Sequence, residues 1–319
     1  METSGPGTAK SLLLRYIMPS IYTQADQNTR KTWFLITGFL VFIIALGWLF
    51  SYLLDDNIIL YFAVFLSVFM SFGSYWWSDK IVLGMYRAIP IDHNKNLELY
   101  HTVENLCITA GLPLPRIYVI PELQPNAFAT GRDKNHAVVC VTQGLLNRLN
   151  KTELQGVLAH EMSHIGNKDM LLSTVVAVLA GTVAMLANMF MRVSFWGGGR
   201  RRSNNDNNNS GAILLVLGIV AAILAPIAAT LVQLAISRKR EFLADADGVL
   251  LTRYPEGLAS ALEKISADQT PIRVTNDATA SLFIDSPYKG KQKTHWFTKL
   301  FSTHPPIEER IKALRDMAI

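Results

Sequence analysis

Hydrophobic runs without a charged residue occupy four places along the chain and dominate its pattern. They cover residues 33–54, 58–77, 170–191 and 212–236. Each run is close to the roughly 20 residues that a helix needs to cross the hydrocarbon core of a bilayer. Asp55 and Asp56 separate the first two runs by a short polar turn. The first pair therefore predicts a transmembrane hairpin.

The second pair of runs has small residues four positions apart, such as Ala177 with Gly181, a spacing that lets helices pack closely in lipid. Arginines lie both between these runs and directly after them, so charge bias does not orient the pair. The pair either crosses the bilayer or lies in its interface and packs on the protein. The Gly-, Arg- and Asn-rich residues 192–211 between the runs predict a flexible loop.

The remaining segments alternate apolar and polar residues at helix and strand spacing, which predicts a water-soluble domain of mixed helices and strands. Helical spacing of apolar residues predicts helices over 96–110, 255–266 and after 306, and β-branched runs predict strands over 116–120, 126–130 and 137–142. Thr152 with Gln155 predicts a capping box at the start of one more helix. We therefore expect an α+β fold in which a small β-sheet accompanies the membrane helices.

Composition supports the membrane assignment. Charged residues make up 17% of the chain and hydrophobic residues 50%, and the mean hydropathy is +0.22. A soluble domain usually carries about 25% charged residues. The net charge of +5 fits basic residues beside anionic lipid headgroups, so we expect a lipid bilayer and no nucleic acid as a partner. Cys107 and Cys140 predict buried thiols rather than a disulfide or a cysteine metal site.

The distribution of basic residues orients the first hairpin. Arg30 and Lys31 precede the first run, and Lys80 and Arg87 follow the second. Basic residues collect on the cytoplasmic side of membrane helices. The pattern therefore places the N-terminal segment 1–32 and everything after residue 77 in the cytoplasm.

The strongest chemical signal is the sequence HEMSH at residues 160–164. Positions i and i+4 of a helix share a face, so His160 and His164 can present their imidazoles to one zinc ion. Glu161 can reach the water that zinc activates and serve as general base. The neighbouring residues are apolar, which predicts a buried helix.

Catalytic zinc takes three protein ligands and keeps one position open. A third histidine six residues after His164 is excluded, because that position is Met170. Glu241 and Asp245 are four apart in the sequence SRKREFLAD at 237–245, so they share a helical face. Glu241 is the candidate third ligand, and Asp245 can accept a hydrogen bond from a ligand histidine.

These motifs, together with NAFATG at 126–131 and the late THPP at 303–306, resemble the HtpX family of membrane zinc metalloproteases over nearly the whole chain. The resemblance implies that His160, His164 and Glu241 bind one Zn²⁺ and that Glu161 is the general base. The chain thus resembles a family of bacterial inner-membrane proteases that cleave damaged membrane proteins on the cytoplasmic side. The implied substrates are therefore proteins, and membrane proteins above all.

The resemblance implies roles for four further residues. Asn126 and Ala127 fall where the family's edge strand lies beside bound peptide, a known mode of recognition. His304 is expected to donate a hydrogen bond to the oxyanion. Arg310 is expected to pair with Asp245 or Glu241.

Four other functions fit the sequence less well. A silent zinc scaffold has no use for Glu161, since structural zinc fills its fourth position. A transporter is disfavoured because no run contains a charged residue. An intramembrane protease carries its zinc ligands inside apolar spans, whereas here charged residues flank the motif. A prenyl-protein protease shares the motif, but the family resemblance implies more than four spans for that branch.

The expected organisation follows from these assignments. A transmembrane hairpin over 33–77 precedes the first part of a gluzincin-type protease domain at 78–169. The apolar hairpin over 170–236 interrupts this domain, whose second part covers 237–319.

Overall fold

The computed structural model describes residues 7–93, 96–197, 219–220, 223–224, 227, 238–271, 282–284 and 305–317. Most of the predicted loop at 192–211 and of the fourth apolar run lies outside these residues. The first six positions of that loop, 192–197, continue a helix.

The first two apolar runs form two long helices, α1 (Gly7–Leu54) and α2 (Asn57–Trp76), and each contains a stretch long and apolar enough to cross a membrane. The side chain of Asp56 caps α2 by accepting a hydrogen bond from the backbone N–H of Ile58 at 2.9 Å. The stretch of α1 that is long and apolar enough to cross a membrane begins at Ala25, so the helix enters it without a break.

The third apolar run is also a helix, α7 (Asp169–Gly197). Its candidate span, Asp169–Met189, differs from the other two in its surroundings. In the most apolar window, 72% of its residues are buried inside the protein, compared with 33% for α1 and 28% for α2. Leu171, Val175 and Leu179 of α7 pack in one hydrophobic cluster with residues of α1 and α2. α7 is therefore a central helix that the protein encloses.

The part of the chain outside the long apolar helices contains a four-stranded mixed sheet with the order β1-β2-β4-β3. Its strands are β1 (Ile89–Pro90), β2 (Arg116–Ile120), β3 (Ala127–Thr130) and β4 (Val138–Thr142). β2 and β4 are parallel, with Ile117 opposite Val139, and β3 pairs with β4 in antiparallel register. The three predicted strands are confirmed. β1 was not predicted, because a strand of two residues is too short to show an alternation of apolar and polar positions.

Helices surround this sheet. They are α3 (Ser78–Met85), α4 (Leu97–Ala110), α5 (Gln143–Arg148), α6 (Lys151–Gly166), α8 (Arg238–Thr252), α9 (Pro255–Ala267) and α10 (Ile307–Arg315). One core unites α4, α6, α9 and the sheet through buried residues such as Leu99, Val139, Leu158 and Leu262. α6 crosses the centre of this core.

The predicted capping box at Thr152 and Gln155 is wrong. Asn150 caps α6, since its side chain accepts from the backbone N–H of Glu153 at 3.0 Å and Glu153 accepts from the backbone N–H of Asn150 at 2.9 Å. The Thr152 hydroxyl instead donates to the Asn150 side chain at 2.8 Å. Asn150 has the extended backbone that an N-cap requires, which moves the helix start two residues earlier.

Candidate metal centre

α6 carries the HEMSH sequence on its buried length. His160 and Glu161 are almost fully enclosed, and His164 keeps partial exposure. The two histidines lie one turn apart, and their ring Nε2 atoms are 3.2 Å from each other. Tetrahedral zinc with Zn–N distances of 2.0–2.1 Å separates two ligand nitrogens by about 3.3 Å. The histidine pair therefore has the spacing that one zinc ion requires.

α8 supplies the carboxylates on the opposite side. Glu241, Asp245 and Gly248 follow one another at helical spacing and face α6. A Cβ atom at Gly248 would lie only 3.1 Å from the backbone nitrogen of His160. Because glycine has no Cβ, the two helix backbones approach closely at the histidine. This contact brings the acidic face of α8 to the histidine pair.

Glu241 completes a group of three potential ligands. Its Oε2 lies 3.7 Å from Nε2 of His160, and its Oε1 lies 3.7 Å from Nε2 of His164. One ligand atom from each residue lies within 4.8 Å of the other two. Two imidazole nitrogens and one carboxylate oxygen form the donor set of a catalytic zinc site with an open position. The residues present therefore fit a zinc ion.

A second carboxylate holds His160 from behind. Nδ1 of His160 donates to Asp245 at 2.9 Å, which leaves Nε2 for the metal. Arg310 of α10 is fully buried and donates to both oxygens of Asp245, at 2.6 and 2.8 Å. Its Nη1 also lies 3.5 Å from Glu241. The structure thus brings Asp245 and Arg310 to the site, and Arg310 faces both carboxylates.

His164 has a matching support that the sequence analysis missed. Its Nδ1 lies 3.0 Å from Oδ2 of Asp169, the first residue of α7. The missed signal is the short spacing after HEMSH: an acidic residue directly precedes an apolar run, where a carboxylate needs partners. Each histidine therefore has a carboxylate at Nδ1 and its Nε2 directed toward Glu241.

The charges of the site set the protonation of its groups. Burial alone would lower the pKa of His164, but the hydrogen bond to Asp169 and the charge of Glu241 raise it to about 9. Burial would raise the pKa of Asp245, yet Arg310 and His160 hold it below its usual range. The site accumulates negative charge around the histidines and so favours a cation.

The predicted substrate residues lie at the edge of the sheet. β3 is an edge strand, and Asn126, directly before it, and Ala127, its first residue, are both buried. Oδ1 of Asn126 accepts from the backbone N–H of Ile284 at 2.9 Å, while its Nδ2 is buried without a hydrogen-bond partner among the described residues. His304, the predicted oxyanion donor, lies outside the residues that the structure describes.

Comparisons with known proteins agree on one family. Residues 93–318 match the model of "Peptidase family M48". A "Protease HtpX homolog" from Thermoanaerobacter pseudethanolicus is 45% identical over 304 residues, covering 94% of this chain and 99% of the relative. Another, from Caldanaerobacter subterraneus, is 46% identical over 302 residues, with the same two coverages.

Among solved structures, the crystal structure of S. mikatae Ste24p aligns with a TM-score of 0.48 and 19% sequence identity, covering 93% of this chain and 67% of that chain. The family match alone covers more than half of the chain, and the curated relatives are matched over nearly their whole length. The chain therefore belongs to peptidase family M48, as a membrane metalloprotease of the HtpX family.

Proposed function

We propose that this protein is a zinc endopeptidase that cleaves misfolded or damaged membrane proteins on the cytoplasmic side of a bacterial inner membrane. The observation that carries the proposal is the position of Asp169. This residue is the first of a candidate membrane span and also the hydrogen-bond partner of His164. The metal centre therefore lies at the membrane surface, within reach of segments that emerge from the bilayer.

In the proposed site, His160, His164 and Glu241 would hold one zinc ion. Zinc in such a site lowers the pKa of water to near 7 and polarises a peptide carbonyl. Glu161 accepts a proton from the attacking water and delivers it to the leaving amine. Asp245 and Asp169 fix the ligand histidines in the tautomer that carries the proton on Nδ1. Arg310 neutralises the buried carboxylates around the ligands.

Substrate recognition is assigned to the start of β3. An extended peptide can add itself to a sheet edge, with main-chain hydrogen bonds that do not depend on its sequence. Nδ2 of Asn126 is a buried donor without a partner among the described residues, which suits a peptide carbonyl. Ala127, the first residue of β3, is proposed to lie beside the bound peptide. His304 is proposed as a donor to the oxyanion on the strength of its sequence context alone.

The topology rests on the charges around the first hairpin. Arg30 and Lys31 precede it, Lys80 and Arg87 follow it, and the turn between its helices carries Asp55 and Asp56. The basic residues at both outer ends of this hairpin support a cytoplasmic position for the catalytic domain.

The chemistry is tested with detergent-purified wild type and Glu161→Gln. We expect both to bind about one zinc per chain and only wild type to cut an unfolded protein, with cutting lost on chelation. Zinc binding without cutting by wild type would favour a zinc scaffold, and failure of both to bind zinc would overturn the ligand assignment.

In vesicles, a membrane protein with a destabilised core should be cut in preference to its folded parent. Equal cutting of both would argue for a general peptidase.

The topology is tested by labelling introduced cysteines with a membrane-impermeant maleimide. Both native cysteines are buried, and burial raises the pKa of Cys107 to about 11 and also raises that of Cys140, so background labelling is low. Glu308→Cys in the exposed part of α10 should react in inverted vesicles only. The matched control Asp55→Cys should react in intact cells only. The reverse pattern would place the active site outside the cytoplasm.

A further inference from the structure

A buried polar contact joins the first membrane helix to the metal centre. Asn28 of α1 lies five positions before the first charge-free run and is only 2% exposed. Its Nδ2 donates to Oδ1 of Asp169 at 2.6 Å and to the backbone carbonyl of Asn167 at 3.1 Å. A side-chain amide has two N–H groups, so both can be used here. The contact links residues 141 positions apart in the sequence.

The same carboxylate faces the ligand. Oδ2 of Asp169 accepts from Nδ1 of His164 at 3.0 Å, while Nδ2 of Asn28 holds Oδ1. Arg240, the residue before Glu241 on α8, also reaches Oδ1, at 3.4 Å. Asp169 thus touches α1, α6 and α8 at once. A buried carboxylate is stable only when such donors satisfy it, so its position depends on them.

The orientation of Asp169 decides that of the ligand. With Nδ1–H of His164 fixed on Asp169, its Nε2 lies 3.2 Å from Nε2 of His160 and 3.7 Å from Glu241. Partners behind a metal-bound histidine set its tautomer and ring orientation, and their loss typically weakens metal affinity by about 10–100-fold.

We propose that Asn28 is a positioning residue for the metal centre, acting through Asp169 on His164. The first membrane helix is then part of the zinc site, and its packing against the catalytic domain sets zinc affinity. This inference rests on the proposed function, since it takes zinc as the resident metal. It assigns α1 a role beyond anchoring the enzyme in the bilayer.

The test compares Asn28→Ala with Thr32→Val in the full-length chain in detergent. Thr32 is equally buried one turn further along α1, but its hydroxyl donates only to the backbone carbonyl of Asn28, at 2.8 Å, inside the same helix. The readouts are the zinc dissociation constant from chelator competition and the visible absorption of the Co²⁺-substituted protein. We expect Asn28→Ala to raise the zinc dissociation constant by about 10–100-fold and to change the Co²⁺ spectrum. Thr32→Val should stay within about twofold of wild type in both readouts.

A merely structural role for Asn28 gives a different result. It would lower the melting temperature of the zinc-free protein and leave the dissociation constant and the Co²⁺ spectrum as in wild type, which would overturn the inference. Where Asn28→Ala does not fold, Asn28→Asp keeps its shape and places two carboxylates together. Because Asn28→Asp removes the amide donor to Oδ1 of Asp169, it should also raise the zinc dissociation constant by about 10–100-fold; an unchanged dissociation constant overturns the inference. Failure of wild type itself to bind zinc would instead refute the proposed function.

Discussion

Each of the two candidate zinc histidines has a carboxylate partner at Nδ1, but the residues that hold those two carboxylates differ in kind. His160 rests on Asp245, which two hydrogen bonds tie to the fully buried cation Arg310. His164 rests on Asp169, whose shortest contact is the neutral amide of Asn28. The first support lies wholly within the catalytic domain, and the second reaches into the membrane helices. One ligand is thus fixed by a buried ion pair with short hydrogen bonds, and the other chiefly by the docking of α1, with Arg240 a more distant cation at 3.4 Å.

The largest expected effect is the loss of the buried cation. Arg310→Met leaves Asp245 and Glu241 without their common partner, and removing one member of a buried ion pair costs about 3–5 kcal/mol. Arg240→Met is the matched change at the other support. Because Arg240 is 3.4 Å from Asp169 and Asn28 remains, it should cost about 1 kcal/mol. Thermal unfolding of the chelator-stripped proteins in detergent measures both. Equal losses would mean that the two supports do not differ in kind.

Zinc affinity sharpens the comparison next. Asp245→Asn should weaken zinc binding by about 10–100-fold, since the charged partner of His160 is lost. If the two supports act separately, combining it with Asn28→Ala should multiply the two single effects to within about twofold. The zinc dissociation constant of the double variant decides this. A double variant no weaker than the worse single variant would show that both supports orient the histidine pair as one unit.

Glycine substitutions next to the two supports should change the free energy of unfolding by different but smaller amounts. Gly248→Ala places a Cβ 3.1 Å from the backbone of His160, where neither helix yields easily, and should cost about 1–3 kcal/mol. Gly166→Ala, at the end of α6 beside the other support, meets only a side-chain carbon of Leu112 at 3.9 Å. Alanine favours helix, so this change should be neutral or stabilise by up to about 1 kcal/mol. Unfolding free energies of the two variants test the contrast; a neutral Gly248→Ala would contradict it.

The comparison also shows what the sequence can and cannot predict. Glu241 and Asp245 were found because they share a helical face with a spacing that complements HEMSH. Asp169 and Asn28 were missed, because their contact joins residues 141 positions apart and has no local period. Helical spacing predicts which side chains share one face of a helix. Which residue of another helix contacts them depends on tertiary packing.

The membrane helices teach a similar lesson. The runs that form α1, α2 and α7 have the same composition signal, yet only α7 is largely enclosed by protein. Hydropathy gives the length and polarity of a helix, whereas its burial within the protein depends on the elements that pack around it. The capping box was placed two residues late for a related reason. Thr152 and Asn150 both suit an N-cap, and only the extended backbone of Asn150 decides between them.

The smallest predicted effect acts on α6 as a whole and so on both histidines equally. The buried carboxylate of Glu153 accepts from the backbone of Asn150 at 2.9 Å, from Ser260 at 2.7 Å and from Lys264 at 2.7 Å. Burial would raise the pKa of Glu153, but the hydrogen bonds from Lys264 and Ser260 hold it below its ordinary value. Glu153→Gln keeps the shape and an acceptor for Asn150 and removes the charge.

A carboxyl group whose pKa is lowered by folding stabilises the protein above its ordinary pKa, and this contribution is lost as the pH falls through the folded value. Glu153→Gln should therefore cost about 1 kcal/mol at pH 7, a modest amount because Lys264 is 44% exposed. The gap from wild type should narrow as the pH falls below the ordinary glutamate pKa and should close below the lowered pKa of the folded protein. Denaturant unfolding at several pH values measures the gap, with Glu256→Gln at the exposed Arg315 pair as the control expected to change little. The zinc dissociation constant should stay at its wild-type value, because neither histidine loses its carboxylate partner. A weakened zinc affinity in Glu153→Gln would show that the start of α6, and not only the two supports, sets the geometry of the metal centre.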